Sequence, residues 1–473
     1  MSNHFDLIVL GGGPAGTSGA ASAGFLGKRV ALVERLPVLG GAGINTGTIP
    51  SKTLRETALV LSGLRSRELY GVDLSVRGEA TVADFGRHAR QVTDAERNRS
   101  VERLDLRGVV RFQGTASFAD LHTIRVVADD GGETLLTGER ILIATGSSPA
   151  RPANLPFEDP RVHDSDEILA ITTLPKTVVV VGAGVIGSEY ACTFAAIGAE
   201  VHLVDGRNVL MPFLDPDISR GLADAMADGG VQFHWSERVI GCDVSRPGDL
   251  VVSLSSGAEL RCDALLVCAG RQSNTAQLNL AAAGIVPGER DLVPVNRHYQ
   301  SRVAHIYAAG DVIGAPALAS TSIEQARVAV AHAFDSKLKS SLATCLPSGI
   351  YTIPEASMAG ATEAALAHDG VDYVAGRARY ADLPRGEIIG DRSGFLKLLF
   401  RREDMRLLGV HIMGEQATEL IHIGLMALLT DADAELFNRA CFNYPTLGDL
   451  YKYAAYDAIA CRERDAASRS AGG

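Results

Sequence analysis

The chain has 473 residues, 46% apolar and 5% aromatic, with 50 glycines and a formal net charge of −11. That length holds about two to four domains with cores of their own, and the glycine-rich, aromatic-poor balance suits an α/β enzyme with many tight strand-to-helix turns. An acidic chain without a long basic run speaks against a nucleic-acid partner.

At the N-terminus, residues 1–4 carry no basic region or cleavage site and lead straight into an apolar strand over 5–10. The strand runs into Gly11-Gly12-Gly13-Pro14-Ala15-Gly16, and a helix is expected to about residue 27. In such a turn Gly11 permits the reversal, Gly13 lets backbone approach a pyrophosphate, and Gly16 lets helix and strand pack closely. The helix N-terminus supplies free N–H groups and a favourable dipole for the phosphates. The next strand, 29–34, ends in Glu34 at the spacing of a ribose contact. The segment Gly40-Gly41-Ala42-Gly43-Ile44-Asn45-Thr46-Gly47-Thr48-Ile49-Pro50-Ser51-Lys52 follows, and the first cysteine comes only at Cys192.

A second complete unit begins with the strand over 177–181 and Gly182-Ala183-Gly184-Val185-Ile186-Gly187, then a helix to residue 197 and a strand closing on Asp205. Two such units predict two bound dinucleotides and electron transfer between them. Asp205 suits the 2′-hydroxyl of NAD and repels the 2′-phosphate of NADP. At about 4 Å and an effective dielectric near 20, one such charge pair is worth about 4 kcal/mol. Gly206 adds space, and Arg207 can fork onto a phosphate. NAD(H) is therefore expected to be handled better than NADP(H). No apolar run is long enough to span a membrane. The seven cysteines contain no CxxC pair, and they read as reduced, mostly buried thiols in a cytoplasmic protein. The twelve histidines show no HExxH or His/Cys cluster, so no metal site is expected. His422, in an apolar helix-like stretch, reads as an interface residue, and the tail after about Cys461 as frayed.

These motifs resemble the pyridine nucleotide–disulfide oxidoreductases over essentially the whole chain. So do Arg140-Ile141-Leu142-Ile143-Ala144-Thr145-Gly146-Ser147, His305-Ile306-Tyr307-Ala308-Ala309-Gly310-Asp311, and Cys268-Ala269-Gly270-Arg271. The resemblance implies an α/β protein with two Rossmann-like dinucleotide-binding domains, one for FAD and one for NAD(P), plus a C-terminal α+β dimerisation domain. The expected limits are 1–150 and 276–345 for the two parts of the FAD domain, 151–275 for the NAD(P) domain and 346–473 for the dimerisation domain. It further implies FAD contacts at Gly11, Gly13, Pro14, Ala15, Gly16, Glu34, Gly41, Ala42, Gly43, Thr48, Lys52, Ala116, Thr145, Gly146, Asp311 and Ala319. Nicotinamide-nucleotide contacts are implied at Gly182, Gly184, Val185, Ile186, Gly187, Glu189, Asp205, Arg207 and Gly270. Lys52, paired with Glu189, resembles the family's lysine beside the flavin N5.

Dithiol members of that family carry two cysteines where this chain has Gly43 and Thr48. They also carry a histidine and a glutamate where Tyr444 and Asp449 stand. A tyrosine is a poor base for a thiol at neutral pH. Both halves of the dithiol machinery are gone. Gly47-Thr48-Ile49-Pro50-Ser51-Lys52, Phe442-Asn443-Tyr444-Pro445-Thr446 and the stretches 349–355 and 414–424 resemble the soluble, FAD-dependent, Si-specific NAD(P)+ transhydrogenases, which implies ping-pong hydride exchange in a homodimer or higher assembly. An NAD(P)H oxidase or diaphorase is the alternative, motivated by room at Gly43 for oxygen or a quinone. A non-catalytic flavoprotein that senses nucleotides is a second alternative.

Overall fold

Residues 5–10 are apolar on both faces except at Asp6, and they become the central strand of a sheet. His4–Leu10 pairs in parallel with Val30–Glu34 on one side and Glu133–Ile143 on the other. Parallel strands are covered on both faces, which is why these runs lack the alternation of a half-exposed strand. The computed structural model describes residues 3–62, 82–246 and 248–471. In it the sheet grows to seven strands. Val110–Gln113 joins beyond Val30–Glu34, while Thr123–Val127 and Thr115–Phe118 join antiparallel beyond Glu133–Ile143. The seventh strand, Ile306–Ala308, returns from far along the chain to pair in parallel with Glu133–Ile143.

Helices α1 (Pro14–Phe25), α2 (Gly41–Asn45), α3 (Thr48–Leu61) and α4 (Val82–Asp105) belong to the N-terminal part. The inserted unit builds a second sheet, all parallel, in the order Val231–Trp235, Glu200–Asp205, Thr177–Val181, Ala264–Val267, Val162–Asp164. Helices α5 (Val185–Ala196) and α6 (Pro216–Asp228) belong to it. The chain leaves the first sheet through Ser147–Pro149 and comes back through Arg271–Ser273, and these two strands pair antiparallel. The insertion therefore hangs on one two-stranded ribbon.

The C-terminal part is an antiparallel sheet of five strands, ordered Ser348–Ile350, Ala356–Gly360, Leu407–Met413, Phe395–Arg401, Tyr373–Arg379. Helices Ala417–Leu429 and Leu450–Ala471 pack on it around buried Tyr380, Phe400, Ile421 and Tyr451. The last helix lies close enough that a Cβ on Gly376 would stand 2.0 Å from the Ala454 carbonyl oxygen. It also continues to Ala471, where the sequence suggested fraying after Cys461. Ala, Arg and Glu are good helix formers, and Arg402 Nη1 donates to Asp465 at 2.8 Å.

One ionic cluster joins the inserted unit to this C-terminal part. Asp215 caps α6, accepting from the Asp217 N–H, and both Asp215 and Lys397 are 0% exposed. The Lys397 ammonium, from strand Phe395–Arg401, donates to Asp215 at 2.7 Å, Asp217 at 2.8 Å and Glu363 at 2.5 Å. Burial works to lower the lysine pKa, but the three carboxylates outweigh it and raise it.

Candidate active site

The first glycine turn forms a cradle of bare backbone. Gly11 has φ +103°, and a Cβ there would lie 2.4 Å from the Ala144 carbonyl oxygen. A Cβ on Gly16 would lie 1.8 Å from the Gly11 oxygen, so helix and strand could not close with any other residue. Gly13 caps α1 with no side-chain hydrogen bond, which leaves the first-turn N–H groups free for a phosphate. Glu34 Oε2 accepts the Gly12 N–H at 2.6 Å and so holds the turn from the end of the neighbouring strand. The Thr145 hydroxyl is buried there without a protein partner. Bare glycines, free N–H groups and an orphaned hydroxyl fit the pyrophosphate and sugar of a dinucleotide.

A cleft of about 530 Å³ opens from this cradle. Of the predicted residues it gathers Gly11, Gly13, Pro14, Ala15, Glu34, Gly41, Ala42, Gly43, Thr48, Lys52, Thr145, Gly146, Asp311 and Ala319, together with Val185, Ile186 and Glu189 from the second unit. Ala116 lines an adjoining cavity of about 360 Å³ with Glu34 and Thr145. Gly16, Gly182, Gly184, Gly187, Asp205, Arg207 and Gly270 line neither cavity. Gly16, Gly182 and Gly187 serve the turns from behind.

Lys52 on α3 forms an ion pair with Glu189 Oε2 on α5. Glu189 Oε1 accepts the Tyr351 N–H at 2.9 Å, and the Lys52 ammonium lies 5.0 Å from the centre of the Tyr351 ring. Three parts of the chain thus meet on one positive charge, fixed by an ion pair and a cation–π contact. Nearby, Arg55 is buried and donates through Nε to the Thr352 carbonyl at 3.0 Å, which ties α3 to the same loop.

The second turn repeats the first. Gly182 has φ +99°, and a Cβ on Gly187 would stand 2.0 Å from the Gly182 oxygen. Gly184 caps α5 with open space above it, and Gly270 (φ +101°) is likewise open. Asp205 Oδ2 accepts the Ala183 N–H at 2.6 Å, as Glu34 accepts that of Gly12. Asp205 also accepts from Arg207 through its backbone N–H at 2.8 Å, Nε at 2.8 Å and Nη2 at 2.7 Å. Burial works against ionisation of Asp205, but these hydrogen bonds outweigh it and hold the carboxyl below its ordinary value.

Several cleft interactions go beyond the roles that the sequence assigns. Arg271 donates to the Ser147 hydroxyl at 2.7 Å, and Ser147 donates to Asp311 at 2.7 Å. Asp166 sits 3.7 Å from Arg271, and burial pushes its carboxyl above the ordinary range despite that arginine. Asp166 lies in a loop of the inserted unit, so only its three-dimensional placement reveals it. Gly43 also departs from expectation. A Cβ there would meet Pro14 Cγ at 2.7 Å, so the room expected over Gly43 is taken on that side by the proline ring. Among the described residues, neither a cysteine nor a histidine lines the cleft. Burial pushes the Cys192, Cys262 and Cys268 thiols up to about 12, whereas Cys441 is exposed rather than buried. His422 is exposed on helix Ala417–Leu429, and Tyr444 is 75% exposed.

Comparison with known proteins agrees with this geometry. Residues 5–333 match the model of the pyridine nucleotide-disulphide oxidoreductases, and residues 346–455 match that family's dimerisation domain. A soluble pyridine nucleotide transhydrogenase from Mycobacterium tuberculosis is 44% identical, over 96% of this chain and 97% of that protein. One from Colwellia psychrerythraea is 39% identical, over 97% and 98%. Among solved structures, the Cu(II) complex of the HOCl-induced flavoprotein disulfide reductase RclA from Escherichia coli superposes with a TM-score of 0.86 at 26% identity, covering 96% of this chain and 99% of that one.

Proposed function

The chain belongs to the pyridine nucleotide–disulphide oxidoreductase family, and on that premise we propose that it transfers hydride between NADPH and NAD+ through FAD, without a redox disulfide. The observation that carries the reading is the cleft itself. It joins a dinucleotide cradle to the helix of a second fingerprint, and among the described residues neither a cysteine nor a histidine lines it. Dithiol reduction needs both a thiol pair and a base. Exchange of hydride between two nicotinamides releases no net proton and needs neither.

FAD, when bound, supplies the two-electron carrier that lets two nicotinamide nucleotides exchange hydride in turn. In this reading the Gly11–Gly13 turn and the N-terminus of α1 hold its pyrophosphate, with Glu34 and Asp311 on its hydroxyls. The Gly182–Gly187 turn and α5 hold the nicotinamide nucleotide. Lys52, anchored by Glu189 and Tyr351, keeps a positive charge in a partly desolvated cleft, where it favours accumulation of negative charge. The domain limits 1–150, 151–275, 276–345 and 346–473 are part of the same reading, supported by the ribbon of Ser147–Pro149 and Arg271–Ser273. We further place the protein as a two-fold dimer in the cytoplasm. Its C-terminal part leaves Met426, Tyr444 and Tyr453 exposed by 55%, 75% and 51%, and no described helix is long and apolar enough to cross a membrane.

Initial rates of thio-NAD+ reduction by NADPH, at several fixed concentrations of each, test the proposal. Parallel double-reciprocal lines, with thio-NADH formed in step with NADPH consumed, are the expected result. NADPH consumption without thio-NADH formation would remove the assignment.

A further inference from the structure

The second nucleotide turn has a cation that the fingerprint does not include. Strand Val231–Trp235 pairs with Glu200–Asp205 so that Trp235 stands opposite Asp205. The chain then turns at Ser236 (φ +59°) and folds back. There the Ser236 N–H donates to the Arg207 carbonyl at 3.0 Å and the Glu237 N–H to the Asp205 carbonyl at 3.1 Å. This clasp lays Arg238 over Gly206, where a Cβ would meet Arg238 Nε at 3.4 Å. Glu237, the nearest acid in sequence, is engaged elsewhere, accepting from the Ser255 hydroxyl at 2.6 Å and the Ser256 N–H at 3.1 Å. Arg238 is exposed, and among the described residues its guanidinium has no ion-pair partner.

We infer that Arg238 and Arg207 form a two-arginine clamp for the 2′-phosphate of NADP(H), with Asp205 as the counter-charge that Arg207 rests on when no phosphate is present. The inference deepens the transhydrogenase reading and rests on it. Asp205 already accepts four hydrogen bonds, from Ala183 N–H and three Arg207 donors, so its acceptor capacity is full. The Arg207 guanidinium is thereby paired with the Asp205 carboxylate, leaving Arg238 as the guanidinium without a carboxylate partner, among the described residues, to meet an incoming phosphate. Arginine forks match phosphate oxygens in geometry as well as charge. Gly206, having no side chain, leaves the space beneath the Arg238 side chain clear.

The test is calorimetric titration of the flavin-loaded protein and its Arg238→Ala and Arg238→Lys variants with 2′,5′-ADP and with 5′-AMP, which differ only in the 2′-phosphate. Arg238→Ala should weaken 2′,5′-ADP by about tenfold to a hundredfold and leave 5′-AMP within about twofold. Arg238→Lys should fall between, because it keeps the charge and loses the fork. Equal weakening of both ligands, or unchanged binding of 2′,5′-ADP, would overturn the clamp while leaving transhydrogenation standing. Tight 2′,5′-ADP binding that depends on Arg238, in a protein that forms no thio-NADH from NADPH, would support the clamp and overturn the transhydrogenase reading.

Discussion

Replacing Lys397 by methionine should destabilise the protein through the carboxylates it leaves behind. The ammonium is fully buried among Asp215, Asp217 and Glu363, whose oxygens lie within 4.8 Å of one another. At that separation and an effective dielectric of about 20, each carboxylate pair repels by roughly 3.5 kcal/mol once the ammonium is gone. Relief is uneven. Asp217 keeps Arg377 at 2.6 Å, and Glu363 is a quarter exposed and can turn to water, but Asp215 is fully buried. Breaking one partner out of such a cluster costs about 3–5 kcal/mol. Urea unfolding of the variant, followed by far-UV circular dichroism, should therefore show its first transition weakened by about that amount.

The loss should be larger at pH 8 than near pH 5.5, because the stranded carboxylates take up protons as the pH falls. Adding Asp215→Asn should recover part of it, since contacting residues are not additive. In the parent protein, burial works to raise the Asp217 carboxyl, but Lys397 and Arg377 outweigh it and hold it at about 2, against 3.8 ordinarily. Its contribution is fully present above that ordinary value and lost as the pH falls toward 2. A loss below about 1 kcal/mol at both pH values would mean that the cluster does not hold α6 to the C-terminal sheet.

Asp205→Ser removes the charge opposed to a 2′-phosphate and frees Arg207, so the ratio of kcat/KM for NADPH over NADH should rise by about tenfold or more. An unchanged ratio would take Asp205 out of nucleotide selection. Lys52→Met removes the fixed charge from the cleft and should slow NADPH-driven reduction in stopped flow by roughly a hundredfold. Reduction at the parent rate would make the Lys52–Glu189 pair purely structural. Gly43→Cys restores a family cysteine but puts a Cβ 2.7 Å from Pro14 Cγ. It should weaken flavin retention on heating by the equivalent of about 1–3 kcal/mol, as overpacking does. An unchanged release temperature would show that Pro14 yields freely.

The parts of the site legible in the sequence are those in which chemistry is local. Gly11 and Gly182 need positive φ at a strand end, and each turn is held by an acid at the end of the neighbouring strand, Glu34 and Asp205. Such spacing is set by one strand, one helix and one return strand, so it survives in any linear reading. The placement of Asp166, Arg271 and Tyr351 in the cleft is not legible, because each reaches it from a different part of the fold. Lys397 in a run of Phe and Leu gives no sign of burial until Asp215, nearly two hundred residues earlier, is brought against it. Gly43 shows the same limit, since a missing side chain reads as space and only the fold puts the Pro14 ring there.

Hydride transfer between two nicotinamides through one flavin site divides into two half-reactions that can be measured apart. The flavin-loaded protein is reduced anaerobically with one equivalent of NADPH, freed of NADP+, and mixed with thio-NAD+. Flavin reoxidation and thio-NADH formation should then proceed at the same rate and in equal amounts. A flavin that stays reduced until air or a quinone is admitted would contradict hydride transfer between the two nicotinamides.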